Sequence, residues 1–370
     1  MKHLDGIILT PGGFVSGQLD ISRDTIIEVR GTPVSEQAAR ASGLPIHVPG
    51  FIDLHVHGGG GADFMDAGDA ATIVARQHVR SGTTAMLATT MTAPTKEIVA
   101  ALHALAPHVV KRQAQSARLL GVHLEGPYIN PGKLGAQPDF TAVGTLDEIR
   151  ALHVIAPIRS ITLAPEVEGN LALIPHLVEL GMRVQIGHSL ATYEDGCHAL
   201  ECGAHGFTHL FNAMTGLHHR APGLVGAALA HARHAEIIPD LMHVHAGAIR
   251  VALRAIPDLY CVTDSTSATG MPDGEYQLGR QRVTKCLGGV RLADGTLAGS
   301  TLTMDQAVRN LVSIGVSLRD ACRRTSQIPA DYLGLQTRGR LAPGCYADVV
   351  TLDGNLEISA VHAEGDLIEH

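Results

Sequence analysis

Hydrophobic and polar positions follow two different rhythms along this chain. Over the first 48 residues, short β-branched runs at 6–10, 13–16 and 25–30 are split by Gly and polar turns, the pattern of a small β-meander. The end of the chain repeats that texture at 346–352 and 360–362, after Gly339-Arg-Leu-Ala-Pro-Gly344. Two β-rich ends flanking a long middle predict one small β-domain built from both termini.

The middle reads differently. Apolar runs at 51–57, 82–90, 117–125, 160–164, 183–188, 206–211, 236–238 and 259–263 are each followed by turn residues and, in most cases, by a helical period. That period predicts helices over Ile73–Ser81, Lys96–Lys111, Asn170–Gly181, Thr192–Gly203 and Ala246–Ile256. Eight strand-then-helix units over roughly 280 residues match an α/β fold of the (β/α)8, TIM-like barrel type. An open doubly wound sheet is the rival, but no Gly-x-Gly-x-x-Gly follows a strand to open a dinucleotide-binding helix. The expected organisation is a barrel over 49–334 and a small β-sandwich domain from 1–48 and 335–370. A Gly-rich insertion, Ser265–Ser300, separates the eighth strand from the next helix, Leu302–Gly315, and is long enough for a lid or active-site hairpin.

Composition narrows the function classes. At 45% hydrophobic and 17% charged, the chain can bury a sizeable core. A net charge of −8 argues against bulk electrostatic binding to nucleic acid or to an anionic membrane. No apolar run reaches the ~18 residues of a membrane helix, and the start lacks a secretory apolar segment. Six cysteines (197, 202, 261, 286, 322 and 345) show no zinc-finger or Cys-x-x-Cys spacing and read as reduced, mostly buried thiols of a cytoplasmic protein. The 22 His beside six Phe, six Tyr and no Trp speak against stacking on bases and invite a metal or proton-transfer reading.

Abundance alone is a poor guide, since 22 His in 370 positions give about one His-x-His by chance. Two occur, His55-Val-His57 and His243-Val-His245. The first ends the apolar strand that starts at Phe51 and runs into Gly58–Gly61, so period-two alternation puts both imidazoles on one face at the C-terminal mouth of a barrel. The same reasoning applies strand by strand. Glu125 ends the third strand, His188 the fifth, His209 the sixth and Asp264 the eighth. A carboxylate finishing an apolar strand is costly unless it meets a cation. Glu125, His188 and His209 form an N/O donor set suited to Zn²⁺ or Fe²⁺ with a position left for water, and Asp264 sits where a general base for that water is needed. By contrast, His78, His103, His108, His153, His176 and His198 fall on helical patterns and read as solvated faces, His231 and His234 flank Arg233 in the same way, and His370 is terminal.

Pro49-Gly-Phe-Ile-Asp-Leu-His-Val-His57 followed by glycines resembles the first strand of the amidohydrolase superfamily, and Gly339-Arg-Leu-Ala-Pro-Gly-Cys-Tyr-Ala-Asp348 resembles its return into the small β-domain. More narrowly, six segments are similar to the N-acetylglucosamine-6-phosphate deacetylase family, in family order and over nearly the whole chain. They are His123-Leu-Glu-Gly-Pro-Tyr-Ile-Asn130, Gly187-His-Ser189, Thr208-His-Leu-Phe-Asn-Ala-Met214, Arg220-Ala-Pro-Gly223, Val262-Thr-Asp264 and Leu297-Ala-Gly-Ser-Thr-Leu302.

The resemblance implies metal-dependent hydrolysis of the acetamide of a phosphorylated N-acetyl amino sugar by a cytoplasmic homodimer. Glu125, His188 and His209 would ligate the metal, Asp264 would shuttle the proton, and His243 would steady the acetyl carbonyl. Arg220 would bind the phosphate, with Ala136, Asn212, Ala213 and the Leu297, Ala298 and Gly299 backbone lining the sugar site. His55 and His57 leave a second metal open, giving one or two Zn or Fe ions per subunit with Glu125 as the bridge. Two departures bear on the sugar: Gln137 stands where many relatives carry His, and Leu241 where the family tends to have Gly. They keep N-acetylgalactosamine-6-phosphate deacetylation open beside the gluco substrate, as is another N-acyl amidohydrolase. An inactive barrel scaffold is the alternative outside enzymes; it predicts lost ligands, whereas Glu125, His188, His209 and Asp264 are all present.

Overall fold

The computed structural model describes residues 1–369, so His370 lies outside the described residues. Eight parallel strands follow the eight apolar runs: Phe51–Asp53, Thr83–Thr89, Arg118–Glu125, Ile158–Leu163, Arg183–Ile186, Gly206–Phe207, His234–Ile237 and Asp258–Cys261. The first six pair in sequence order as one sheet, and the last two pair with each other. Backbone bonds join the two parts: Leu210 N–H donates to Glu236 O at 2.9 Å, and Asp264 N–H to His55 O at 2.9 Å. A parallel bridge between Val56 and Ser265 completes the ring. Every residue of Thr83–Thr89 is buried, as expected of a parallel strand covered on one side by barrel filling and on the other by helices.

The predicted helices appear within a few residues of their expected bounds, as Ala70–Arg80, Thr95–Val110, Asn170–Glu179, Tyr193–Glu201, Ala246–Ala255 and Met304–Ser313. Thr192 starts one of them with a reciprocal cap: its Oγ1 accepts from Asp195 N–H at 3.2 Å, and Asp195 Oδ2 accepts from Thr192 N–H at 2.9 Å. Two further helices, Leu146–Ile155 and Gly223–His231, complete the outer ring.

Both chain ends contribute to one separate seven-stranded sheet, whose edge strands are Asp366–Leu367 and Thr25–Pro33. Bonds from Ile26 N–H to Cys345 O and from Ala347 N–H to Asp24 O bring the far edge back onto residues 344–347. The sheet thereby encloses its own core of Ile8, Leu19, Ile21, Ile26, Leu341 and Val349. Glu364 ties it to the barrel, accepting from Arg118 Nε and Nη2 at 2.8 and 2.9 Å. The insertion after the eighth strand is a three-stranded antiparallel sheet (Gly274–Leu278, Gln281–Cys286, Gly289–Arg291) packed over the barrel mouth. Its Leu278, Val283 and Val290 bury against Met91 and Ala268.

Some sequence expectations are corrected. His78 is fully buried, because its helix packs over the glycine run and its Nε2 donates to Gly58 O at 2.9 Å. His234 opens the seventh strand and is partly covered there. His153 is half-buried and accepts from Ile158 N–H at 3.1 Å. Of the six cysteines, all free, Cys286 is exposed on the insertion and Cys197 and Cys202 are half-buried. Among the described residues, no helix is long and apolar enough to cross a membrane.

Candidate active site

A cavity of about 220 Å³ opens at the C-terminal ends of the barrel strands. Its floor is Glu125, whose two carboxylate oxygens face different histidine pairs. Oε1 lies 3.2 Å from His188 Nε2 and 3.1 Å from His209 Nε2. Oε2 lies 3.1 Å from His57 Nε2 and 3.4 Å from His55 Nε2. Asp264 closes the group, with Oδ1 at 3.3 Å from His57 Nε2 and 3.5 Å from His55 Nε2.

The donor chemistry fits a cation. The Nε2 atoms of His188 and His209 point at each other across 3.1 Å, and those of His55 and His57 across 3.3 Å. His188 Nδ1 donates to Lys133 O at 2.8 Å, so that once Nε2 gives up its proton its lone pair is aimed into the cluster. His55 Nδ1 donates to Glu236 Oε2 at 2.9 Å with the same consequence. Within each of the sets Glu125–His188–His209 and Glu125–His55–His57, the donor atoms lie within 4.8 Å of one another. These residues could hold one ion or two sharing Glu125.

Electrostatics couples the group. Burial works to raise the Glu125 carboxyl, but the charge of His55 and the hydrogen bonds of His188 and His209 outweigh it and hold Glu125 well below the usual carboxylate range. Asp264, likewise buried, is held down at about 2 by His55 and His57. Burial opposes charge on His57, yet Asp264 and Glu125 raise it to about 9. Ligation needs neutral imidazoles, so cation binding at this pair is coupled to proton release.

The backbone at three strand ends is strained. His188, His209 and Asp264 have φ of 48°, 27° and 51°, in the left-handed region that costs a side-chain-bearing residue ~1–3 kcal/mol. Surrounding bonds hold them there, among them Asn130 N–H to His188 O at 2.9 Å and His209 N–H to Glu236 Oε2 at 3.2 Å. Just after the first strand, Gly58 lets the chain pass Ser267, since a Cβ there would meet Ser267 N at 2.6 Å.

Around the cluster, His243 lines the cavity and its Nδ1 donates to Asp240 Oδ2 at 2.6 Å, directing Nε2 inward. Burial opposes charge on this ring and Asp240 outweighs it, raising its pKa. Ala136, Asn212, Ala213, Leu297 and Gly299 also line the cavity, whereas Ala298 is buried behind it in the core of the insertion. His55 is fully buried below the cluster and does not line the cavity. Arg220 stands apart: it is exposed and borders a separate cavity with Leu190, Thr192, Tyr193 and Thr215. Leu241 adopts φ of 66°, a conformation that favours glycine, one residue after the Asp240 that anchors His243.

Three buried groups support the cluster, of which the sequence singles out Gln137 alone, and that for the sugar. Gln137 donates to Glu125, Glu236 accepts from His55, and Asp53 accepts from Thr263 Oγ1 at 2.6 Å, locking the first strand to the eighth. Acidic residues such as Asp53 and Glu236 inside apolar strands are the signal the sequence carries, since a buried carboxyl needs partners.

A closed parallel barrel with a His- and carboxylate-lined mouth able to hold a metal is the architecture of metal-dependent hydrolases, and the sequence places it further: the chain belongs to the amidohydrolase family, whose profile matches residues 46–367. Hydrolysis of amides is the activity of this class. The chain is similar to N-acetylgalactosamine-6-phosphate deacetylase of Escherichia coli O157:H7, 40% identical over 372 residues covering 97% of each. It is also similar to N-acetylglucosamine-6-phosphate deacetylase of Lysinibacillus sphaericus, 40% identical over 317 residues covering 84% of this chain and 82% of the relative. In three dimensions it matches N-acetylglucosamine-6-phosphate deacetylase of Thermotoga maritima with a TM-score of 0.91 at 32% identity, covering 100% of this chain and 99% of the other. A mutant of the Mycobacterium smegmatis enzyme in complex with N-acetyl-D-glucosamine-6-phosphate matches with a TM-score of 0.91 at 31% identity over 100% of both chains. The expected fold, a barrel with a sheet from both chain ends, is borne out.

Proposed function

We propose that this chain hydrolyses the acetamide of N-acetylglucosamine 6-phosphate to glucosamine 6-phosphate and acetate. The observation that carries this reading is the convergence of Glu125, His188, His209 and Asp264 on one cavity, in a chain similar over most of its length to deacetylases of that class. Glu125, His188 and His209 would hold a Zn²⁺ or Fe²⁺ ion, and His55 and His57 a second that shares Glu125. A divalent ion there supplies Lewis acidity, bringing water towards ionisation near neutrality and polarising a carbonyl.

The residues do the rest. Ionised Asp264 accepts the proton of the attacking water and then delivers it to the departing nitrogen, without which an amine is a poor leaving group. His243, held by Asp240, donates from Nε2 to the carbonyl oxygen as charge develops; such a donor is worth about 3 kcal/mol. Asn212, Ala136 and the Leu297–Gly299 backbone shape the sugar site. Arg220 takes the phosphate, for which its planar fork is suited, so that remote binding energy orients the acetyl group. Asn212 and Ala213 line the main cavity and Thr215, Gly216 and Arg220 border the neighbouring one, so the loop 212–220 connects the two. We assign the working form as a cytoplasmic homodimer, with 1–48 and 335–370 as one domain and 49–334 as the other; the separate core of the terminal sheet supports that division.

A second reading, the galacto epimer as substrate, is favoured by the similarity to the Escherichia coli enzyme over 97% of each chain and by Gln137 in the cavity wall. Amine release from the gluco and galacto 6-phosphates and from unphosphorylated N-acetylglucosamine separates the two. A kcat/KM highest for the gluco 6-phosphate is expected. Preference for the galacto sugar selects the second reading, and no release from either phosphate refutes both.

A further inference from the structure

Behind the cavity, one fully buried carboxylate touches both halves of the cluster. Glu236, in the seventh strand, is 0% exposed and takes four donors. Its Oε1 accepts from Gln185 Nε2 at 2.6 Å and from Tyr260 Oη at 3.3 Å. Its Oε2 accepts from His55 Nδ1 at 2.9 Å and from the backbone N–H of His209 at 3.2 Å. The Oε1 pair is ordinary satisfaction of a buried charge. The Oε2 pair is different, because His55 belongs to the Glu125–His55–His57 donor set and His209 to the Glu125–His188–His209 set; a third set, His55–His123–Glu236, lies behind them.

The consequence is geometric. Accepting the Nδ1 proton fixes the tautomer in which His55 Nε2 faces Glu125 and Asp264, and sets the plane of the ring. A second imidazole stands behind it: His123 packs edge-on against His55 with ring centres 4.6 Å apart, while its own Nε2 bonds Thr162 Oγ1 at 2.8 Å. Accepting the His209 N–H holds that residue at φ of 27°, the turn that swings its ring back onto Glu125. We propose that Glu236 is a positioning residue that sets the divalent-cation affinity of the cluster by holding the His55 ring and the His209 backbone through one oxygen. This rests on the metal-binding reading above.

Zn²⁺ competition against a chelator, on the full chain, tests it. Glu236→Gln keeps the shape and removes the charge, and is expected to weaken Zn²⁺ binding about 10–100-fold, the usual effect of losing a partner behind a metal ligand. Tyr260→Phe removes a donor to Oε1 alone and is expected to leave affinity within about threefold of the parent. Made on a His55→Ala background, Glu236→Gln is expected to cost at least about threefold less, because part of its action runs through that ring. Circular dichroism confirms folding in each case; if Glu236→Gln does not fold, Glu236→Asp keeps the charge, shortens the reach and carries the same expectation. Wild-type affinity in a folded Glu236 variant, or equal losses with and without His55, overturns the proposal while leaving the metal reading standing. A parent chain that takes up no Zn²⁺ overturns both.

Discussion

Gln137 bridges Glu125 to the second barrel strand's loop: its Nε2 lies 2.6 Å from Glu125 Oε2, and its Oε1 accepts from Thr92 N–H at 2.7 Å. The carboxylate oxygen that faces His55 and His57 is therefore also held from the cavity side. Gln137→Leu removes the donor to Glu125 and leaves the buried Thr92 N–H without its acceptor, which costs about 1–3 kcal/mol. A lower melting temperature together with about tenfold weaker Zn²⁺ retention is expected, by thermal unfolding and chelator competition. Unchanged metal retention would show that Gln137 serves the loop and not Glu125.

Asp264 approaches the cluster through Oδ1, 3.3 Å from His57 Nε2. Asp264→Asn preserves shape and removes the proton acceptor, so turnover is expected to fall by roughly 10²–10⁴-fold. Bound metal, measured on the same preparation, should stay near the parent level because Glu125, His188 and His209 are intact. Turnover close to the parent enzyme would take the base role away from Asp264.

Arg220 borders a cavity apart from the Glu125 centre, so the proposed phosphate contact would act on binding and not on chemistry. Arg220→Ala is expected to raise KM for the 6-phosphate at least about tenfold with kcat nearly unchanged, the signature of lost uniform binding. The unphosphorylated sugar should be indifferent to the change. An unaltered KM for the phosphorylated sugar removes Arg220 from the phosphate site.

Two histidines away from the site predict an acid limb in stability. Burial pushes His205 down to about 4, with Arg183 adding to it, and pushes His362 to about 4, with Lys2 adding to it, against an ordinary value of 6.5. Between those values the unfolded chain binds protons that the folded chain refuses. Stability is thus complete above pH ~6.5, declines as pH falls towards ~4 and levels off below. His362→Gln should shrink the drop in melting temperature between pH 7 and pH 4.5; a drop of parental size would acquit His362.

The strand ends were legible in the sequence because chemistry there interrupts an apolar run: Glu125, His188, His209 and Asp264 each finish one. The residues that hold them were not, because their partners are far along the chain. Glu236 meets His55 across 181 positions, and nothing near either residue announces the pairing. The helix Gly223–His231 escaped because Leu224, Val225, Ala227 and Ala228 are all buried and leave no polar face to set a period. His78 looked like a solvated helix position, yet the glycines beneath it let that helix approach closely enough to cover it. Arg220, assigned to the phosphate through the family resemblance, sits on an exposed loop beside a neighbouring cavity, where no apolar run marks it.

The most direct test is back-titration of activity with metal. The chain is stripped with a chelator, and deacetylation of N-acetylglucosamine 6-phosphate is followed as Zn²⁺ or Fe²⁺ is returned in measured amounts. Activity should be lost on stripping and return in proportion to bound ion, with a Glu125→Gln chain failing to recover. Full activity in the stripped chain, or none at saturating metal, would contradict hydrolysis at the Glu125 centre.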